Sequence, residues 1–222
     1  MERNVESEPT LSMQKGIYFE TQCIGSGVLG KKLDDLPRLK NGNKNADHQR
    51  IDMQVMEFKN VLNHHTITIK DTQVNMKHKV NNRLFLDGTA DIIGSIYDEE
   101  FGMIDEAIID LKLTANIFSQ FGDYCWHFPA NMNHTQAQMY SFLYEQINGV
   151  EVPFYYLVFD YKPEPGYKII RKNIKPIDKH ELKESVRSTV EKIDYHDETG
   201  WRTKPNYENC KTCPLKDKCP DY

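Results

Sequence analysis

Two neighbouring apolar runs that carry charged residues constrain this chain more than any other feature. Residues 84–95 contain Gly88-x-x-Asp91, and residues 107–113 contain Asp110-x-Lys112. Both runs have the length and β-branched content of buried strands. Because side chains alternate along a strand, we expect Asp110 and Lys112 on one face and their apolar neighbours on the other. Charges in such strands are costly to bury alone, so these residues indicate a divalent-metal site.

The remaining patterns place these strands in an α/β domain. The turn at residues 98–102 predicts that the two runs form an antiparallel hairpin. Helical spacing and cap residues predict four helices, the last of them capped by Asp178, at residues 13–24, 46–62, 134–147 and 178–195. Further strands are predicted at residues 66–80, 152–161 and 167–172. The glycines of Gly25-x-Gly27-x-x-Gly30 match a dinucleotide fingerprint by letters only, and a glycine turn that ends the first helix is the better interpretation.

Length and charge limit the class of protein. The 222 residues fit one domain with a small attachment, which we divide into a domain at residues 1–200 and a tail at residues 201–222. A net charge of −5 disfavours a protein that coats nucleic acid by charge alone, but acidic metal ligands count as negative charge until ions bind. We expect no membrane segment and a cytoplasmic location in a prokaryote or a phage-infected host.

Two helices carry further polar candidates. Glu20 lies in Gly16-x-x-x-Glu20 on the first helix, and Cys23 follows it by three positions, so both lie on one side. Gln136 and Tyr140 are four positions apart on the helix after the hairpin, so they share a face towards the sheet. A core tyrosine beside a hydrogen-bonded glutamine would give the same pattern.

With these motifs in this order, the chain resembles the PD-(D/E)XK nuclease superfamily. The motifs are Gly88-x-x-Asp91, Asp110-x-Lys112 and Gln136-x-x-x-Tyr140, and the resemblance covers residues 13–219. The likeness is to the RecB-like exonuclease branch, which includes phage exonucleases and CRISPR-associated RecB-like nucleases. Gly16-x-x-x-Glu20 is similar to the first motif of that branch, in which the last position is often histidine.

The resemblance implies a restriction-endonuclease-like core with a mixed central sheet flanked by helices. It implies that Glu20, Asp91 and Asp110 bind Mg²⁺ or Mn²⁺, that Lys112 assists the attack, and that Gln136 and Tyr140 position the substrate. Mg²⁺ prefers oxygen ligands, usually one or two carboxylates with water and substrate phosphate, which agrees with the acid pair. A buried Asp110–Lys112 ion pair without catalytic role is the alternative.

The expected activity is that of a DNA exonuclease. The substrate would be DNA ends or single strands, in recombination, replication or repair, with proteins of those processes as possible partners. Two rival interpretations are a catalytically weak DNA-binding subunit of a larger complex and a zinc-stapled interaction protein. The aromatic residues Tyr124, Trp126 and Phe128 either stack on the bases of a single strand or belong to the core.

The tail contains three closely spaced cysteines, Cys210-x2-Cys213-x5-Cys219, and thiolates at this spacing are good ligands for a soft metal. Five cysteines in total, without a secretory signal, argue against a disulfide framework. The chain resembles RecB-like nucleases of the iron–sulfur type, which implies a [4Fe–4S] cluster with Cys23 as the upstream ligand. Zinc, or Cys125 in place of Cys23, remains open.

Overall fold

The computed structural model describes residues 9–27, 32–82, 85–164, 166–172 and 174–200. Four α-helices and five β-strands follow one another in these residues, with one short 3₁₀ turn at Pro129–Asn131. The elements are α1 (Leu11–Ile24), α2 (Ala46–His64), β1 (Thr68–Lys79), β2 (Phe85–Asp98), β3 (Gly102–Thr114), α3 (Thr135–Asn148), β4 (Phe154–Asp160), β5 (Tyr167–Lys172) and α4 (Pro176–Thr199).

The five strands form one mixed sheet in the order β1-β2-β3-β4-β5. β1, β2 and β3 pair antiparallel, β3 and β4 pair parallel, and β5 is antiparallel to β4. The parallel pair follows from α3, since the chain must cross the sheet between β3 and β4. The predicted hairpin and the predicted mixed sheet with flanking helices are therefore confirmed.

Helix ends follow local chemistry. Thr10 caps α1, because its hydroxyl accepts a hydrogen bond from the Met13 amide at 3.3 Å. Gly25 ends the same helix in the left-handed conformation, with φ of 81°, as the glycine-turn interpretation requires. Asp178 is not the N-cap residue of α4 that the sequence predicts, but its side chain caps the start of the helix from the first turn. α4 begins at Pro176, and Asp178 lies in its first turn, where its carboxylate accepts from the Lys175 amide at 2.8 Å.

Two apolar cores lie on the two faces of the sheet. The first is built by α1 and α2 with side chains of β3 such as Ile109 and Leu111. The second is built by α3 and the loop before it, with Ile108 of β3 and Tyr156 of β4. The alternation of β3 between the two cores is the one that its sequence predicts, and it directs Asp110 and Lys112 to the α3 side.

The sheet opens between β2 and β3. Registered pairs between these strands run from Asp98↔Gly102 to Ile92↔Ile109 and end there. Beyond that point, residues 85–90 of β2 pair with β1 alone, and residues 110–114 of β3 pair with β4 alone. The two charged motifs therefore lie where the two halves of the sheet separate.

Gly94 marks an irregularity in the same strand. The register shifts between Gly94 and Ile96 on the β3 side and between Ile69 and Asp71 on the β1 side. A Cβ atom at position 94 would lie 2.3 Å from the backbone oxygen of Thr68. A glycine is therefore required here, because the backbones of β1 and β2 approach too closely for any side chain.

The chain divides into two compact units between Lys179 and His180. The predicted boundary at residue 200 stays a prediction, since residues 201–222 lie outside the described ranges. No helix in the described part of the chain is both long and apolar enough to cross a membrane.

Replacing Gly94 by alanine tests the close approach of β1 and β2. We expect Gly94→Ala to lower the free energy of unfolding by at least about 2 kcal/mol, because the clash is with backbone that cannot rotate away. Gly16→Ala is the matched control: it lies in α1 with open space around it, and we expect a gain of roughly 0.5–1 kcal/mol. Urea unfolding measures both. A Gly94→Ala protein as stable as its parent would contradict the assignment of this contact.

Candidate active site

The opening in the sheet forms a cavity of about 460 Å³. Residues from α1, β1, β2, β3 and α3 line it, and they include every predicted metal-binding, catalytic and substrate-positioning residue of the nuclease motifs. The lining residues are Glu20, Gln73, Asn75, Asp87, Gly88, Thr89, Asp91, Asp110, Lys112, Gln136 and Tyr140.

Asp91 lies at the edge of the opening and connects β2 to β3 there. Its Oδ2 atom accepts a hydrogen bond from the Leu111 amide of β3 at 2.8 Å, and its Oδ1 accepts from Gln73 Nε2 at 3.2 Å. The Leu111 amide has lost its place in the β2–β3 ladder, so the carboxylate supplies the acceptor that the strand no longer provides. Asp91 is 7% exposed. This hydrogen bonding fixes its position beside Asp110.

Asp110 is bound on both oxygens. Its Oδ1 accepts a hydrogen bond from Gln136 Nε2 at 2.8 Å, and its Oδ2 lies 2.5 Å from the Lys112 Nζ. The residue is 1% exposed. The structure thus brings the strand motif and the helix motif into direct contact, as the spacing of Gln136 and Tyr140 predicted.

Burial changes the protonation of this acid pair. Burial raises the pKa of Asp91 to about 7, and repulsion from Asp110 adds to the rise. Burial also raises the pKa of Asp110 in spite of the nearby Lys112 and Gln136. Burial alone would lower the pKa of Lys112, but the two carboxylates outweigh it and raise that pKa above its ordinary value. Lys112 is therefore a permanent cation beside two carboxylates that lack a second counter-charge among the described residues of the cavity.

Glu20 reaches the same cavity from the opposite layer. It is buried near the end of α1, which packs on the first core, and it lines the cavity with Asp91 and Asp110. Among the described residues, however, no three His, Cys, Asp or Glu side chains are grouped closely enough to be recognised as a metal site. The structure brings Asp91 and Asp110 into one cavity with Glu20, and the ligand roles of all three stay predictions.

Gly88 has a packing reason for its place in the motif. A Cβ atom at position 88 would lie 2.9 Å from Cε1 of Tyr140 and 3.3 Å from Cδ1 of Leu143. The tyrosine ring thus rests directly on the backbone of β2. α3 therefore packs on β2 at Gly88, three residues before Asp91 in the same strand.

Sequence reasoning missed several cavity residues. Gln73 and Asn75 belong to β1, where apolar and polar residues alternate too weakly to indicate which side chains face the cavity. Gln73 has a positive φ of 51°, and its side chain donates a hydrogen bond to Asp91. Asn75 donates to Asp87 at 3.0 Å, so Asp87 lies at the cavity rim, as an edge group. Positive φ at a residue other than glycine is uncommon and gave no signal in the sequence.

Tyr156 is a second residue that the sequence did not reveal. It is the registered partner of Asp110 across the parallel β3–β4 pair, and its hydroxyl is buried without a hydrogen-bond partner among the described residues. Burial raises its pKa, and the Asp110 carboxylate adds to the effect. In the sequence it is one letter in an unbroken apolar run, so only the strand register discloses it.

The predicted cluster ligands are described only in part. Cys210, Cys213 and Cys219 lie outside the described residues. Cys23 is a free thiol that packs against the first core, and burial followed by the nearby Glu20 raises its pKa. Cys125 is a free, buried thiol of the second core. A thiol with a raised pKa is a poor ligand until a metal displaces its proton, so the structure leaves the cluster as a prediction.

Comparisons with known proteins support the fold. No protein-family model matches this sequence, and no curated protein matches it either. The chain is similar to a protein from Eubacterium rectale whose crystal structure is described as that of a "putative exonuclease", with a TM-score of 0.63 and 18% identity. The match covers 96% of this chain and 76% of that one. At this identity the likeness shows a shared fold, and the RecB-like assignment stays a prediction.

The raised pKa of Asp91 makes stability depend on pH. Between the ordinary pKa of 3.8 and the folded value of about 7, the folded protein keeps a proton that the unfolded chain releases. The contribution of Asp91 to stability therefore falls as pH rises through this window. Asp91→Asn cannot ionise. In metal-free buffer we expect its free energy of unfolding, relative to the parent, to rise by at least about 1 kcal/mol from pH 4 to pH 8.

Glu106→Gln supplies a control of opposite sign. The hydrogen bond from Tyr144, followed by the one from Lys70, lowers the pKa of Glu106, so its contribution is present above the unfolded pKa and is lost as pH falls. The relative stability of this variant should therefore fall as pH rises. Urea unfolding at several pH values measures both variants. An Asp91→Asn profile that is flat, or that follows Glu106→Gln, would show that Asp91 is ionised throughout.

Proposed function

We propose that this protein is a metal-dependent DNA nuclease of the PD-(D/E)XK type that acts on DNA ends or single strands. One observation carries the proposal: Asp91, Asp110 and Lys112 meet in a cavity at the opening of the sheet, with Gln136 bonded to Asp110. An ion pair that served stability alone would be better replaced by apolar residues at such a buried position. The shared fold with the Eubacterium rectale protein, which is described as a putative exonuclease, supports the same conclusion.

The charge of the cavity favours a bound divalent cation. Among the described residues, four carboxyl groups line it, those of Glu20, Asp87, Asp91 and Asp110, against one ammonium group, that of Lys112. A phosphodiester would be repelled by this excess of negative charge. Two adjacent buried carboxylates suit Mg²⁺ or Mn²⁺, which need few protein ligands and complete their shells with water and substrate oxygens. The residues present therefore fit the metal, with Asp91 and Asp110 as ligands and Glu20 as a further candidate.

The cation would supply Lewis-acid chemistry and lower the pKa of a bound water. The protein residues have separate tasks. Asp91 is held by Leu111 and Gln73, so the carboxylate needs no reorganisation to bind an ion. Lys112 keeps its proton and can stabilise the charge that develops on the phosphate during attack. Gln136 fixes the orientation of Asp110, and the ring of Tyr140 rests beside them on β2.

Degradation of end-labelled DNA tests this proposal. We expect the protein to degrade single-stranded or duplex DNA in Mn²⁺ or Mg²⁺ but not in EDTA, and we expect Asp110→Asn and Lys112→Ala each to lower the rate at least about 100-fold. Lys15→Ala is the matched control, because Lys15 is also a partly buried lysine in an ion pair, 2.6 Å from Asp47, away from the cavity. Its rate should equal that of the parent. Labels at the 5′ and at the 3′ end give the polarity.

Two outcomes would contradict the proposal. A folded protein that binds DNA but cleaves no form of it would favour the DNA-binding subunit. Cleavage that survives Lys112→Ala and Asp110→Asn would place the chemistry elsewhere. Calorimetry of Mn²⁺ binding separates the ligands from Lys112, because Asp91→Asn and Asp110→Asn should abolish the binding and Lys112→Ala should not.

We also propose that Cys210, Cys213 and Cys219 hold a [4Fe–4S] cluster with Cys23. Their spacing in the sequence supports the proposal. Anaerobic purification with iron, sulfide and zinc analysis tests it: we expect about four irons per chain, lost in Cys213→Ser and retained in Cys125→Ser. Zinc without iron, together with no binding of DNA, would favour the interaction protein.

A further inference from the structure

The loop between β3 and α3 exposes a group of aromatic rings. Phe118, Phe121, Tyr124 and Phe128 are all exposed, and Phe121 most of all, at 85%. We call these four side chains the aromatic platform. A single exposed aromatic residue is ordinary, but four exposed rings within eleven positions of one loop are an unusual concentration of apolar surface. The second core does not account for them, since the loop already contributes Ile117, Cys125, Trp126 and Met132 to it.

The platform is held by a folded loop. The His127 amide donates to the Ser119 carbonyl at 2.9 Å, and the Asn133 amide donates to the Asp123 carbonyl at 2.9 Å. The Ser119 hydroxyl donates to the Phe121 carbonyl at 3.1 Å. The backbone on both sides of Phe121 is therefore fixed while its ring points outwards. An exposed ring on a pre-organised loop loses little conformational entropy when it binds a flat partner.

Buried aromatic residues support the platform from below. The ring of Tyr124 stacks on Trp126, with centroids 5.1 Å apart and an interplanar angle of 18°. Trp126 is buried and meets Tyr156 edge to face at 5.7 Å. Tyr156 is the registered neighbour of Asp110. A continuous series of rings therefore leads from the exposed surface to the acid pair of the cavity.

Two lysines give the platform positive charge. The ammonium groups of Lys168 and Lys162 lie 4.8 Å and 5.6 Å from the ring centre of Phe118. Lys168 donates to the Trp126 carbonyl and Lys162 to the Asn116 side chain, and neither forms an ion pair with a described carboxylate. Both ammonium groups therefore place positive charge beside the ring, where it can attract an anion.

The platform adjoins the candidate active site. Its loop starts directly after β3, which ends two residues beyond Lys112. Tyr124 of the platform stacks on Trp126, and Trp126 contacts Tyr156, whose registered partner on β3 is Asp110. The platform and the cavity are therefore connected through β3 and through this series of rings.

We infer that the aromatic platform binds the unpaired bases of a single DNA strand, with Lys162 and Lys168 on its phosphates, next to the phosphodiester in the cavity. The inference rests on the proposed nuclease function, and of the two substrates named there it selects the single strand. Rings beside cations are the surface that single strands need, since every base has a face that stacks on an aromatic ring. Paired bases inside a duplex do not offer these faces. An apolar protein partner would leave the two lysines without a role.

Binding of DNA without metal tests the platform separately from cleavage. The probe is a labelled oligothymidylate, with a blunt duplex and an abasic strand of the same length for comparison, all in EDTA. We expect Phe121→Ala to weaken binding of the oligothymidylate about tenfold and binding of the duplex by less than twofold. On the abasic strand, which keeps its phosphates, we expect the variant and the parent to bind equally.

Phe101→Ala is the matched control. Phe101 is an exposed phenylalanine with a cation over its ring, since the guanidinium of Arg171 lies 3.6 Å from its centre. It precedes β3, about 30 Å of strand away from Asp110. This variant should bind every probe as the parent does. Because Phe121 is 85% exposed, its replacement should leave the fold intact, which circular dichroism checks.

Several results would overturn the inference. One is that Phe121→Ala and Phe118→Ala both bind the oligothymidylate within twofold of the parent. Another is that Phe101→Ala loses as much affinity for the oligothymidylate as Phe121→Ala does. A third is that Phe121→Ala loses as much affinity for the abasic strand as for the oligothymidylate. A change in sedimentation of Phe121→Ala without a change in binding would make the patch a contact between copies. The proposed function fails separately. If the oligothymidylate binds through the platform but no DNA is cleaved in Mn²⁺, the inference about single-strand binding holds and the proposed nuclease activity is contradicted.

Discussion

The hydrogen bond from the Leu111 amide to the Asp91 carboxylate is the interaction on which the site depends. It lies where the β2–β3 ladder ends, and it gives β3 an acceptor after β2 has turned away. An unpaired buried amide would cost about 1–3 kcal/mol, so the carboxylate makes the opening of the sheet tolerable. The opening in turn lets Glu20 from one layer and Gln136 from the other line a single cavity. One side chain therefore both completes the sheet and supplies a charge to the site.

The electrostatics of the cavity follow from this geometry. The opening leaves Asp91 and Asp110 buried as neighbours, and one lysine cannot compensate both, so the pKa of each is raised. The same arrangement raises the pKa of Lys112, because the two carboxylates stabilise its charged form where burial alone would favour the neutral amine. A site of this kind is costly for the folded protein in the absence of a cation and well suited to one in its presence.

The sequence predicted the elements and much of the site. Strict alternation in β3 identified Asp110 and Lys112, and four-residue spacing identified Gln136 and Tyr140, because both patterns are local. Gln73 and Tyr156 were not predicted as site residues. The position of Tyr156 depends on strand register and that of Gln73 on a left-handed backbone, and neither property is visible in a local sequence pattern. The environment of His48 also depends on tertiary packing: this histidine of α2 is fully buried and contacts Tyr18 and Asp35 away from the cavity.

The contact between Gly88 and Tyr140 links two positions that are far apart in the chain. The ring occupies the volume that a Cβ atom on β2 would need. The sizes of the residues at 88 and 140 therefore cannot change independently: growth at one demands shrinkage at the other, or α3 moves away from β2. Among descendants of this chain, we expect the two positions to have evolved together. A shift of α3 would also carry Gln136 away from Asp110, so selection on the site acts on a glycine that takes no part in its chemistry.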